Sequence, residues 1–280
     1  MSQSVTLADG TVVRYHSYHD DQPITVVMIH GITGNHKGFQ YLLPGMSNVH
    51  CIVPDLPGFG DSDLPPRESW SIEGLARAAN EFVTALRLPT PPVLLGHSMG
   101  GLVASNMIAL APELYEQRAI LISPVPTAVR RREARTSGAI AATVHYRVGT
   151  NFRSIVTSKL ISRVSTVAML KTNDRTRRRD IYRHHLDNLR YFSDSAFYLA
   201  LHKDIICRGA LDFAAALQAK RILLISGDDD IVTPLPEMKR LADAIHPERF
   251  LIIRQVGHLI HYEKAPEATA AINQFLTDQP

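Results

Sequence analysis

Three short stretches hold side chains that could carry out nucleophilic chemistry together. The first is Gly96-His97-Ser98-Met99-Gly100-Gly101. It follows the apolar run Val93–Leu95 and precedes a nearly all-apolar helical stretch, Met99–Leu110. A serine flanked by glycines between a strand and a helix suits a sharp, strained turn, where a Cβ at the flanking positions would collide. The helix that follows directs its free N–H groups and the positive end of its dipole at the reacting centre. Ser98 is therefore the candidate nucleophile.

A serine hydroxyl needs a base, and the base needs an orienting acid. Gly257-His258 comes directly after the strand-like run Phe250–Ile253. That places His258 on the same sheet edge as the serine turn and makes it the candidate base. His261, three residues on, is the competing histidine. The acid is sought at the end of another strand, where Gly227 precedes Asp228, Asp229 and Asp230. By composition the three aspartates are equivalent, and a solvated turn with a helix cap would look the same. The chain order Ser98, Asp230, His258 is the order expected where a serine on a strand-to-helix turn is the nucleophile. The oxyanion of such a reaction needs two N–H donors. The Met99 amide is one. The other is expected from Ile32, in the loop His30-Gly31-Ile32-Thr33-Gly34, where Gly31 lets the backbone come close and His30 braces the turn.

These residues must be positioned by an alternating scaffold. Val5–Ala8 and Thr11–Tyr18 read as a hairpin about Asp9-Gly10. Five further runs (Ile24–Ile29, Val49–Val53, Ala119–Ile122, Ile222–Ile225 and Phe250–Ile253) join Val93–Leu95 as strands apolar on both faces, as buried parallel strands are. Helical periodicity marks Ser71–Leu86, Met99–Leu110, Leu211–Leu217, Leu235–Ile245 and Pro266–Phe275. Strand and helix alternate, which predicts an α/β fold with a mostly parallel sheet. The alternation stops between Ala128 and Leu211, where Ser154–Met169 and Arg179–Tyr191 look helical and amphipathic. This is read as a helical insertion.

Composition narrows the function classes. The 280 residues are 45% hydrophobic and 20% charged, which suits a soluble globular chain. Leu88–Pro112 carries no charged residue, but its prolines and glycines rule out a continuous membrane helix. The N-terminus shows neither the basic head nor the apolar stretch of a signal peptide, so a cytoplasmic protein without membrane association is expected. Cys51 sits in an apolar run and is expected to be buried; the two cysteines have no metal or disulfide spacing. The net charge is +3, yet residues 128–208 hold 17 Lys and Arg against 6 Asp and Glu. The run Arg175, Arg177, Arg178, Arg179 is short and mixed with acids, so no nucleic-acid partner is expected. The sequence leaves a homodimer open.

Together the motifs resemble the α/β-hydrolase superfamily over nearly the whole chain. His30-Gly31 looks like its oxyanion loop and Asp55–Ser62 like the turn after the next strand. Gly96–Gly101 looks like its nucleophile elbow and Gly257-His258 like its histidine loop. Gly227-x-x-Asp230 with Pro234 resembles the acid turn, which singles out Asp230. The resemblance implies an α/β-hydrolase fold with a mostly parallel eight-stranded sheet flanked by helices. It implies a core of residues 1–127 and 209–280 and a helical cap at 128–208. The cap would supply substrate contacts: His36, Arg130, Arg135 and Tyr146 are the candidate substrate-binding residues, and the arginines suit an anionic group. Arg131, Arg132, Arg147 and Arg153 add to the basic excess. The implied activity is serine-esterase hydrolysis of a small acyl substrate through an acyl-enzyme, with no metal or organic cofactor. Alternatives are cleavage of an amide, thioester or C–C bond in a carboxylate-bearing metabolite, or a non-hydrolytic ligand sensor.

Overall fold

In the computed structural model of the protein, residues 2–32, 34–46, 48–128, 166–188 and 195–278 are described. Eight strands form one sheet: β1 (Ser2–Thr6), β2 (Val12–Tyr18), β3 (Thr25–Ile29), β4 (His50–Pro54), β5 (Val93–His97), β6 (Arg118–Ile122), β7 (Arg221–Gly227) and β8 (Arg249–Ile253). Their spatial order is β1-β2-β4-β3-β5-β6-β7-β8. β1 and β2 form an antiparallel hairpin, and β2 is antiparallel to β4. All remaining pairs are parallel. The hairpin turn closes as expected: Gly10 takes φ +87°, and Thr11 donates its amide to Asp9 Oδ1 at 2.8 Å.

The strands with apolar residues on both faces serve two cores. Val27, Ile29, Leu94, Leu121, Ile222 and Leu224 face one side, and Val26, Met28, Leu95, Ile122, Leu223 and Ile225 face the other. This is the period-two alternation of a strand covered on both sides. The first side is covered by α1 (Ile72–Ala85), α2 (Met99–Leu110) and a later helix, Leu235–Ile245. The second is covered by residues 39–46 and by the last helix, Ala265–Thr277. Cys51 is buried there, and burial pushes its thiol up to about 12. Among the described residues no helix is long and apolar enough to cross a membrane; the uncharged stretch is simply β5 followed by α2.

Between β6 and β7, residues 166–169 are helical, followed by α3 (Arg175–Asn188) and α4 (Ser195–Cys207). α3 starts four residues before the expected Arg179, because Asp174 Oδ1 accepts the amides of Thr176 and Arg177 and caps it there. α4 docks on the body through Phe197, Leu201 and Ile205, spaced four apart. The expected helix Leu211–Leu217 is divided into a 3-10 turn, Ala210–Phe213, and α5 (Ala214–Gln218). Gly209 accounts for the irregular start. A Cβ there would lie 2.4 Å from Thr127 Cα, so this segment is pressed against the chain after β6. The remaining helices are α6 (Leu235–Ile245), α7 (Ile260–Glu263) and α8 (Ala265–Thr277).

Candidate active site

Ser98 occupies the turn between β5 and α2 with φ +56° and ψ −120°, a conformation that costs a non-glycine residue free energy. Close packing holds it there. A Cβ at Gly96 would stand 2.4 Å from Gly100 O, and one at Gly100 would stand 2.1 Å from Ile29 O. Only glycine permits α2 to start so near the sheet. Ser98 N donates to Ile122 O at 3.1 Å, and Ser98 O accepts from Gly101 N and Val125 N.

His258 reaches the serine from the loop after β8. Its Nε2 lies 2.8 Å from Ser98 Oγ and its Nδ1 lies 2.8 Å from Asp230 Oδ2. A carboxylate only accepts, so Nδ1 carries the proton and Nε2 receives the serine hydroxyl. All three side chains are buried. Asp230 is held firmly: Oδ1 accepts the amides of Val232 (2.7 Å) and Thr233 (2.9 Å), and Oδ2 also accepts the Thr233 hydroxyl (2.6 Å). Burial alone would raise its pKa. The neighbouring His258 and the Thr233 bonds outweigh that and hold it below the usual carboxylate range. The other aspartates face elsewhere. Asp228 Oδ1 accepts Gln255 N, and Asp229 is exposed beside Lys171 Nζ at 3.8 Å.

His261, the competing histidine, is buried with its ring 3.9 Å from that of His97 and forms no bond to Ser98. His97, which the sequence reading passed over, donates Nε2–H to His258 O at 3.1 Å and so ties the histidine loop to the Ser98 turn. Burial and the adjacent His258 lower its pKa to about 3, so it stays neutral. Thr233 was also passed over. Its signal was local: a hydroxyl three residues beyond an aspartate suits an Asx-type turn.

The loop after β3 lies against the serine, since a Cβ at Gly31 would be 3.3 Å from Ser98 Cβ. Ile32 follows, partly buried against the core. The Met99 amide is among the first N–H groups of α2, which no helical carbonyl reaches. His30 braces the loop as expected: Nδ1 donates to Gly31 O (2.8 Å) and Nε2 accepts Leu56 N (3.0 Å).

His36 lies buried beside Asp55. Its amide and Nδ1 both reach Asp55 Oδ1, at 2.6 and 2.9 Å, and its ring stacks on His16 at 3.7 Å. Asp55 Oδ2 also accepts Asp61 N, which locks the turn Asp55–Ser62. His36, Asp55 and Asp61 bring ligand-type atoms within 4.8 Å of one another. The Asp55 oxygens already accept these donors, so the group reads as a hydrogen-bond knot. Arg130, Arg135 and Tyr146 lie outside the described residues, as do Arg131, Arg132, Arg147 and Arg153.

Residues 26–272 match the Alpha/beta hydrolase family. The chain belongs to this family. Among curated relatives it is 30% identical to Lipase 3 of Moraxella sp. strain TA144 over 111 residues, 40% of this chain and 35% of that protein. It is 38% identical over 91 residues to a pimeloyl-[acyl-carrier protein] methyl ester esterase of Aeromonas hydrophila, 31% of this chain and 33% of that protein. The chain thus spans about a third of the length of these two relatives. The same fold occurs in an esterase of Exiguobacterium antarcticum, with TM-score 0.78, 19% identity, and coverage of 99% of this chain and 100% of the other. The family's α/β architecture is the sheet described above.

Proposed function

We propose that this α/β hydrolase is a serine hydrolase that cleaves a small carboxylic ester through an acyl-enzyme. The observation that carries the reading is the unbroken line Asp230–His258–Ser98, with both links at 2.8 Å. His258 takes the hydroxyl proton through Nε2 while Ser98 Oγ attacks the ester carbonyl. Asp230 fixes the tautomer and stabilises the imidazolium that forms. The Ile32 and Met99 amides receive the developing oxyanion; one such donor is typically worth about 10²–10³ in rate. His258 then protonates the leaving alcohol, and water repeats the sequence on the acyl-enzyme. The names of the lipase and methyl ester esterase relatives support an ester over an amide. The carboxylate acid, serine and histidine together need no cofactor for this step. Hydrolysis of p-nitrophenyl acetate tests the reading. Wild type should turn it over and Ser98→Ala should not; an Ala variant with wild-type turnover would refute it.

A further inference from the structure

Between β6 and β7 the chain lies against the histidine loop at residues 169–172, and one residue anchors it there. Glu263 closes α7, five residues after His258. Its Oε2 accepts the backbone amides of Lys171 (2.9 Å) and Thr172, and its backbone carbonyl accepts Arg177 Nη1 at 3.0 Å. The neighbouring contacts converge on the same place. Tyr262 Oη meets His184 Nδ1, and Tyr262 and Leu259 pack with Leu170 and Ile181. A Cβ at Gly257 would stand 2.6 Å from Met169 O, so residue 169 lies directly on the backbone before His258. Lys171 pairs across with Asp229, next to Asp230. Residues 169–172 therefore touch the histidine loop, the acid turn and α7 at once.

The Glu263 carboxyl is kept in this position at a cost. It is buried, and among the described residues its Oε1 has no partner. Burial raises its pKa, an effect that the two amides only partly offset. The geometry points to Glu263 as a positioning residue. By holding the amides of Lys171 and Thr172 it keeps residues 169–172 on the histidine loop, and so keeps the His258 imidazole between Ser98 and Asp230. Nucleophile-to-base placement is sensitive on this scale, since a displacement of about 1 Å can cost about a hundredfold in rate.

This inference rests on the serine-hydrolase reading, and the test separates the two. Wild type, Glu263→Ala, Glu263→Gln and Thr172→Pro, which removes one donated amide, are compared for thermal unfolding, for kcat and KM on p-nitrophenyl acetate, and for the rate of fluorophosphonate labelling. Glu263→Ala should lose about 10- to 100-fold in both kcat and labelling rate, with KM within about twofold and a folded transition retained. Thr172→Pro should lose in the same direction. Glu263→Gln, which keeps an acceptor for the amides, should recover most of the rate. A folded Glu263→Ala with wild-type kcat, a loss confined to KM, or a Gln variant as impaired as Ala would overturn the positioning role while leaving the hydrolase reading intact. Should Glu263→Ala not fold, Thr172→Pro with wild-type kcat would overturn it. A wild-type protein that neither turns over ester nor takes the label would overturn both.

Discussion

Asp230 differs from its two neighbours in surroundings, not in chemistry. Asp230 is buried and takes His258, Val232 and two bonds from Thr233, whereas Asp228 serves the Gln255 amide at the loop surface. Asp230→Asn should therefore lower kcat by about 10²–10⁴, because an amide no longer enforces the Nδ1–H tautomer or stabilises the imidazolium. Asp228→Asn keeps an oxygen for Gln255 and should stay within about fivefold of wild type. Steady-state kinetics on the two variants checks this; equal losses would mean the wrong carboxylate. The juxtaposition of Ser98 and His258 was legible because each follows a strand and sits beside glycines that the packing requires. Which aspartate meets His258 was legible only by resemblance, since Asp-Asp-Asp carries no internal distinction. His97 was missed because its role is to reach a carbonyl 161 residues away, which no local pattern encodes.

The elements that hold the site are individually conventional. α1 begins at Ser71, whose side chain accepts Gly74 N at 2.9 Å, and its Ile72 amide is taken by Asp204 Oδ2 from α4 at 2.8 Å. Ser71→Ala should cost about 1 kcal/mol of stability in denaturant unfolding, with kcat unchanged. A change in kcat of tenfold would show that α1 is coupled to the site. Six strands were readable from β-branched and doubly apolar runs and two from the Asp9-Gly10 hairpin, to within two residues at their ends except β1, which starts at Ser2, three residues before the expected Val5. The helices were less so. Leu211–Leu217 opens as a 3-10 turn just after Gly209, which is wedged against Thr127, and becomes α-helical only from Ala214. α4 went unnamed because its anchoring residues Phe197, Leu201 and Ile205 lie among other apolar side chains that blur the period.

At the scale of the molecule, histidines are unusually buried. His97 and His185 have pKa values lowered to about 3 and His184 to about 4, in each case chiefly by burial, so all three fold as neutral rings. In the unfolded chain each binds a proton near pH 6.5. The sign follows: the unfolded state binds more protons below that pH, so stability is full above about 6.5 and is lost as the pH falls toward the folded values. Each ring contributes up to about 1.4 kcal/mol per pH unit in that window. The unfolding temperature should drop steadily from pH 7 to pH 4.5, and His184→Gln should flatten the slope. A flat profile in wild type would show that these rings are not buried neutral. The basic excess of residues 128–208 was plain from the sequence, but charge alone gives no geometry, and what it recognises was not legible. The docking of residues 169–172 on the histidine loop was not legible either, because it depends on backbone contacts between segments about 90 residues apart.

The central claim is that Ser98 is the nucleophile, and covalent labelling tests it most directly. Wild-type protein treated with a fluorophosphonate and digested should carry one adduct, on the peptide containing Ser98, and Ser98→Ala should lose both the adduct and ester turnover. An adduct on another residue, or a Ser98→Ala protein that still hydrolyses ester at the wild-type rate, would contradict it.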